Sequence, residues 1–289
     1  MNSYVSTFYK KDNDIWGFPQ EYKGIEILPI KKKDRKTAEI MYRLFMCPKT
    51  YIADRDILRM SYLKFIILVV QANAERIDSN VDLHSDIELF LNSVCKINGN
   101  NIETTIYLEK HPELNELYER LSFFLILKER TEGGNGIEIK LSEQDFDNIR
   151  EIVLEQSGTS VEYIESYNPE LEESLEFLNK DNAPLNFEEE IFSFCALTKM
   201  SEVEAGEKTL FQFSRRIERE VLLKDYEIFK AMESAGFISS KNKDKDIFKH
   251  YLSHSPRVGR YDSLMLNADE YVRESGLTDP NSNVIVENK

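Results

Sequence analysis

Residues 122–156, SFFLILKERTEGGNGIEIKLSEQDFDNIREIVLEQ, change hydrophobic period once, and that change sets the fold class. Phe123–Lys128 is rich in β-branched and aromatic residues. Gly133-Gly134-Asn135-Gly136 marks a turn, and Ile137, Ile139 and Leu141 alternate with polar neighbours. This pattern predicts a β-hairpin near 123–141. Ser142 and Asp145 then stand at capping-box spacing, with Asp in place of the usual Glu, and predict a helix to about Glu155.

Toward the N-terminus, residues 1–20 are polar with scattered aromatics and read as an arm. YKGIEILPIK at 22–31 reads as a strand ended or held at an edge by Pro29. Asp34 is a candidate cap for a helix on Ala38, Met41, Leu44 and Phe45. A longer helix is expected from Asp54 to about Ala74, and a third from Asp82 to Ile97, broken by INGNN. Ile102, Thr104 and Ile106 suggest a short strand, and Pro112 opens a helical pattern through Leu114, Leu117, Tyr118 and Leu121. Toward the C-terminus, helices are expected at 159–167, 169–180, 187–200 and 209–235. The last carries one stripe of Leu210, Phe213, Ile217, Val221, Ile228 and Met232. The fold expected is mainly α with minor β (α+β). Its parts are an arm at 1–20, an α+β domain at 21–181, a helical domain at 184–237, and a linker with a small C-terminal appendage at 238–289.

Across 289 residues, 37 Lys and Arg face 52 Asp and Glu, a net charge of −15. Such acidity argues against nucleic acid or an anionic membrane as main partner. The charge is uneven: residues 1–64 carry 13 basic and 8 acidic side chains, and 161–190 carries ten acids against Lys180 alone. A basic head and an acidic middle suit self-association or docking of a basic partner. Cys47, Cys95 and Cys195 stand far apart, each in an apolar pattern, which fits core packing in a reducing compartment. The N-terminus lacks an apolar leader core. The longest apolar run, Phe65–Val70, is far short of the ~20 residues a bilayer requires. The expectation is a soluble intracellular protein.

The search for chemistry nominates no catalytic residue, no metal ligand and no cofactor. His250 and His254 share an i, i+4 spacing but have no third ligand nearby. Glu138-Ile139-Lys140 matches the E-x-K of a two-metal nuclease strand, without a recognisable acid on a neighbouring strand. Alternation on a solvated hairpin face gives the same tripeptide. Gly133-Gly134-Asn135-Gly136 lacks the Lys-Ser/Thr of a phosphate-binding loop. Two clusters qualify instead as partner-binding candidates. One is Lys31, Lys32 and Lys33; the other is Phe187, Phe192 and Phe194, more aromatics than one helix usually buries.

Two stretches resemble a known group. Residues 27–68 run from an Ile-Leu-Pro-Ile-Lys strand through a short amphipathic helix to ILRMSYLKF. Residues 185–223, LNFEEEIFSFCALTKMSEVEAGEKTLFQFSRRIEREVLL, give an apolar helix, a capped turn at Met200-Ser201, and Thr-Leu-Phe-Gln-Phe opening a long charged helix. This order resembles the helical core of tailed-bacteriophage tail-morphogenesis proteins, in particular the tail assembly chaperones, over about 80 residues. The resemblance implies Thr209 as N-cap and Phe213 as core anchor. It further implies a non-enzymatic assembly protein in the host cell cytoplasm or the virion. Its partners would be other phage proteins, a tail length-determining or tail tube protein. The alternatives are a structural virion component of tail, neck or baseplate, and a metal-dependent nuclease or other enzyme with a dispersed site.

Overall fold

The computed structural model describes residues 9–52, 54–78, 80–113, 119–131, 133, 136–178, 185–235 and 260–261. Residues 1–8, 114–118, Gly134-Asn135, the expected boundary at 181–184, and the C-terminal appendage apart from Arg260-Tyr261 lie outside the described residues, as do His250 and His254.

The protein is mainly α with one six-stranded antiparallel sheet in sequential order. The strands are β1 (Gln20–Tyr22), β2 (Ile25–Ile27), β3 (Cys95–Ile97), β4 (Asn100–Lys110), β5 (Leu121–Glu129) and β6 (Glu138–Ser142). Between β2 and β3 come α1's successors in the chain: α1 (Lys11–Trp16) precedes β1, and α2 (Arg35–Phe45), α3 (Arg55–Arg59), α4 (Tyr62–Phe65), α5 (Gln71–Ile77) and α6 (Leu83–Val94) follow β2. After β6 come α7 (Glu143–Gln156), α8 (Val161–Glu165), α9 (Pro169–Leu178), α10 (Phe187–Thr198), α11 (Glu202–Gly206) and α12 (Leu210–Ser234).

Alternation gives the sheet two unlike faces. Tyr22, Ile25, Ile27, Cys95, Ile97, Ile102, Leu125, Leu127 and Leu141 point into the core, where α4, α6 and α7 cover them. The opposite face carries Glu103, Tyr107, Phe124, Lys128, Glu138 and Lys140, with Tyr107 stacked on Phe124 at 5.2 Å. Two tight turns join strands. Lys23-Gly24 and Asn98-Gly99 both hold positive φ, as a type I′ hairpin demands. In the β5–β6 hairpin, a Cβ at Gly136 would collide with the Glu129 carbonyl, so only glycine fits there.

Phe45 of α2 stands at the centre. Its ring meets Tyr62 of α4, Phe90 of α6 and Phe146 of α7 edge-on, at 6.4, 5.1 and 5.8 Å. Beside it lies the buried Arg150 of α7. Its guanidinium stacks 3.3 Å from the Tyr62 ring centre and donates to the Phe45 carbonyl and to Glu165 of α8. Glu165 also accepts the Lys49 N–H, while the Tyr62 hydroxyl donates to the carbonyls of Leu44 and Cys47. Four helices and the loop after α2 therefore converge on one buried charge.

Several expectations change. From residue 9 the supposed arm is folded: Tyr9 donates to Asp14, and Gln20 donates to the Lys10 carbonyl. The strand expected at 22–31 is a hairpin, because Lys23-Gly24 turns rather than alternates. The expected 54–74 helix breaks at Met60-Ser61, where the Ser61 hydroxyl caps α4. The apolar run Ile66–Val70 then widens to a π-helical turn before α5. Its four β-branched residues crowd the preceding turn, which a wider helix relieves. The expected 82–97 helix stops at Val94, and Cys95 pairs with Ile27 in the sheet. Leu121, read as helical, begins β5. The 123–141 hairpin and the Ser142/Asp145 capping box form as expected.

The Arg150–Glu165 pair is buried on the arginine side, with 4% of that side chain exposed. Removing one partner strands the other charge, which costs about 3–5 kcal/mol. Glu165→Ala, which strands the buried Arg150, is expected to destabilise the protein by about that amount in urea titrations, and Arg150→Met by less, because the Glu165 left behind is 21% exposed and keeps the Lys49 N–H.

Candidate interaction surface

Past Pro29 the chain leaves the sheet, and its backbone pairs with the turn between α11 and α12. Leu210 N–H donates to the Ile30 carbonyl at 2.9 Å, Lys32 N–H to the Lys208 carbonyl at 2.8 Å, and Lys33 N–H to the Gly206 carbonyl at 3.0 Å. Lys31 and Thr209 form the bridge at the centre of this clasp. Side chains continue it. Lys31 and Lys33 both pair with Glu207, and these two hydrogen bonds hold its carboxyl down at about 2. Lys32 pairs with Glu190 at 2.5 Å and lies over the rings of Phe213 and Phe187. Under the clasp, Phe194 and Phe213 stack at 4.2 Å and bury Ala205. Thr209 caps α12 in a full capping box with Gln212, whose amide reaches on to the Ile15 carbonyl.

The six nominated residues therefore divide. Lys31, Lys32 and Lys33 point at the chain's own acids. Phe194 is fully buried and Phe187 half-buried beneath Lys32 and Arg35. Phe192 remains open, at 59% exposure. Phe213 is buried, as the resemblance implied.

Other apolar side chains are left facing outward. Of the 25 residues of α12, only Leu210 and Phe213 are buried. Val221, Ile228 and Met232, spaced for one helical face, are exposed. At the α12 N-terminus, α1 presents Ile15, Trp16 and Phe18, with Trp16 at 69% exposure. Gly17 ends α1 in the left-handed conformation, and a Cβ there would press within 3.2 Å of Thr209 and Gln212. Close packing of the helix end against the clasp thus turns the Ile15-Trp16-Phe18 edge to the surface. The sequence reading placed these aromatics in a polar arm and missed them as a patch; their clustering in 15–18 was the available signal.

A polar cleft of about 440 Å³ opens between Arg59, Ser61, Ser122, Ser142, Glu143 and Asp147. Two of its hydroxyls are committed to local structure: Ser61 caps α4, and Ser142 donates to Asp145. Asp147 accepts the Tyr62 N–H, and burial pushes its carboxyl up to about 6. Neighbouring Asp145 goes the other way, to about 2. Burial alone would raise it, but Lys23, Tyr22 and Ser142 together hold the carboxylate more strongly. In the E-x-K tripeptide, Glu138 pairs with Lys128 at 2.9 Å and Lys140 lies over Phe124. Among the described residues, no group of three His, Cys, Asp or Glu side chains is placed to hold a metal ion, and no helix is long and apolar enough to cross a membrane. Comparison with protein-family models, curated proteins and solved structures gives no match.

The clasp and its aromatic stack predict separable stability. Phe213→Ala should cost about 3 kcal/mol and raise amide exchange in α10–α12 well above that in β4–β6. A uniform rise would instead make the helices and the sheet one cooperative unit. Asp147 predicts a pH slope. Its folded value near 6 lies above the ordinary 3.8. The folded state then binds the extra proton between those values, and stability falls as pH rises from about 4 to about 6. Asp147→Asn keeps an acceptor for Tyr62, should flatten that slope, and should stabilise the protein at pH 7 by of order 2 kcal/mol.

Proposed function

We propose that this protein acts through protein–protein contacts and turns over no substrate, and that it is a bacteriophage tail assembly chaperone. The observation that carries the contact role is the exposed apolar stripe of Val221, Ile228 and Met232 on α12. An amphipathic helix with one open apolar face is suited to take a helical segment of another protein. A chaperone must shield such segments until its client polymerises, and a net charge of −15 keeps the loaded protein in solution. The tail-assembly setting rests on the resemblance of residues 27–68 and 185–223. Those two stretches pack against each other through the clasp, so they act here as one unit. The client would be a tail length-determining or tail tube protein, met in the host cytoplasm.

A structural role in the virion draws less support, since residues 9–20 fold onto the body instead of extending from it. The nuclease alternative also draws less support, since the Glu138 of its E-x-K motif pairs with Lys128.

Mass spectrometry of purified particles, with a pull-down from assembling cells, separates these readings. A chaperone is absent from particles and recovers a long helical tail protein; a stoichiometric virion component overturns the proposal. Replacing Val221, Ile228 and Met232 together by serine should reduce that capture at least about tenfold. Because all three are exposed, the melting temperature should change little.

A further inference from the structure

Arg260 and Tyr261 occupy the corner between α8 and α9, far from the clasp. The Arg260 guanidinium lies 5.5 Å from the Tyr163 ring centre and 5.1 Å from that of Tyr167, and its Nε pairs with Glu172. The Tyr261 hydroxyl accepts the Asn168 N–H at 2.5 Å and donates to the Asn168 carbonyl at 3.2 Å. Every feature of the dipeptide is met by a matching group: the flat cation by two aromatic faces and a carboxylate, and the phenol by a backbone donor and acceptor.

The corner is held from behind, independently of what fills it. Tyr167 packs on Tyr51 at 5.7 Å, and Glu165, the last residue of α8, is fixed by Arg150 and Lys49. The Asn168 side chain caps α9 by accepting from Glu170 and Leu171. Such support pre-organises the corner, so little ordering is left to do when a ligand arrives. Residues 161–178, which carry six acids and no lysine or arginine, favour a cationic ligand.

We infer that the Tyr163–Tyr167–Asn168–Glu172 corner is a recognition site for an arginine–tyrosine peptide, filled in cis by the chain's own Arg260-Tyr261. A segment with the same chemistry competes for it in trans. The dipeptide is held by side-chain contacts at a partly open surface, with 18% of the Arg260 side chain and 23% of that of Glu172 exposed, so exchange does not require unfolding the core. Lysine would not substitute for Arg260, since it lacks the planar group that stacks between two rings. The inference concerns a different surface from the α12 stripe and stands whether or not the tail-assembly reading does.

The test is fluorescence anisotropy with a labelled peptide copying residues 256–265, titrated with the full-length chain. The double variant Arg260→Ala, Tyr261→Ala should bind the peptide saturably and at least about tenfold more tightly than wild type, because it lacks the tethered competitor. Adding Glu172→Gln, which leaves the helix caps in place, should abolish that binding, and a peptide with lysine at position 260 should fail to compete. Absence of saturable binding to the double variant overturns the inference. So does equal affinity for wild type and double variant, or binding indifferent to Glu172→Gln.

Discussion

A single buried cation sets the terms for the rest of the molecule. Arg150 sits in an otherwise apolar core, where an unpaired charge would be costly. Its Nη2 and its flat face are met by parts far apart in sequence: the carbonyl that ends α2, the carboxylate of Glu165 and the face of Tyr62. Satisfying all three fixes α2, α4 and α8 relative to α7. The edge-on aromatic set around Phe45 then fills the space between these helices and the sheet. The corner that holds Arg260-Tyr261 inherits its position from the same charge, because Glu165 lies between Tyr163 and Tyr167 in the chain.

The sheet buries one face, and helices supply its cover. What remains is a chain end of the hairpin, residues 30–33, whose backbone polar groups lie beyond any strand partner. They are satisfied by the turn before α12, and the run of lysines finds Glu207 and Glu190 there. The basic cluster is thereby paired with acids of its own chain. The exposed apolar side chains include one stripe of α12 and the edge of α1. The edge of α1 lies next to the clasp, which joins the helical unit to the α/β body, and the stripe lies farther along α12.

Much of the fold could be read in advance because it depends on neighbours in sequence. The Ser142/Asp145 box, the Thr209 cap and the alternation through Phe123–Leu141 are local, and each formed. The failures share a cause. At Cys95–Ile97, an apolar segment continues a helical pattern, yet it pairs with β2, some 70 residues earlier. At Lys23-Gly24, a glycine that could alternate in a strand instead makes the turn of a hairpin, next to the strand that completes the sheet edge. Of the six partner-binding candidates, residue type was legible and direction was not. Phe192 and Phe194 are two apart on α10, one exposed and one fully buried, and only the position of Phe213 distinguishes them.

By itself, the amino-acid sequence determined the class of the fold, its caps and hairpins, and its strong negative charge. These follow from periodicity, from side chains that bond their own backbone, and from counting charges. The folded chain alone decided which lysines and phenylalanines are already taken, which face of α12 stays open, and that Arg260 meets Glu172. Those outcomes depend on packing between segments separated by tens to hundreds of residues, and no local pattern encodes such a distance.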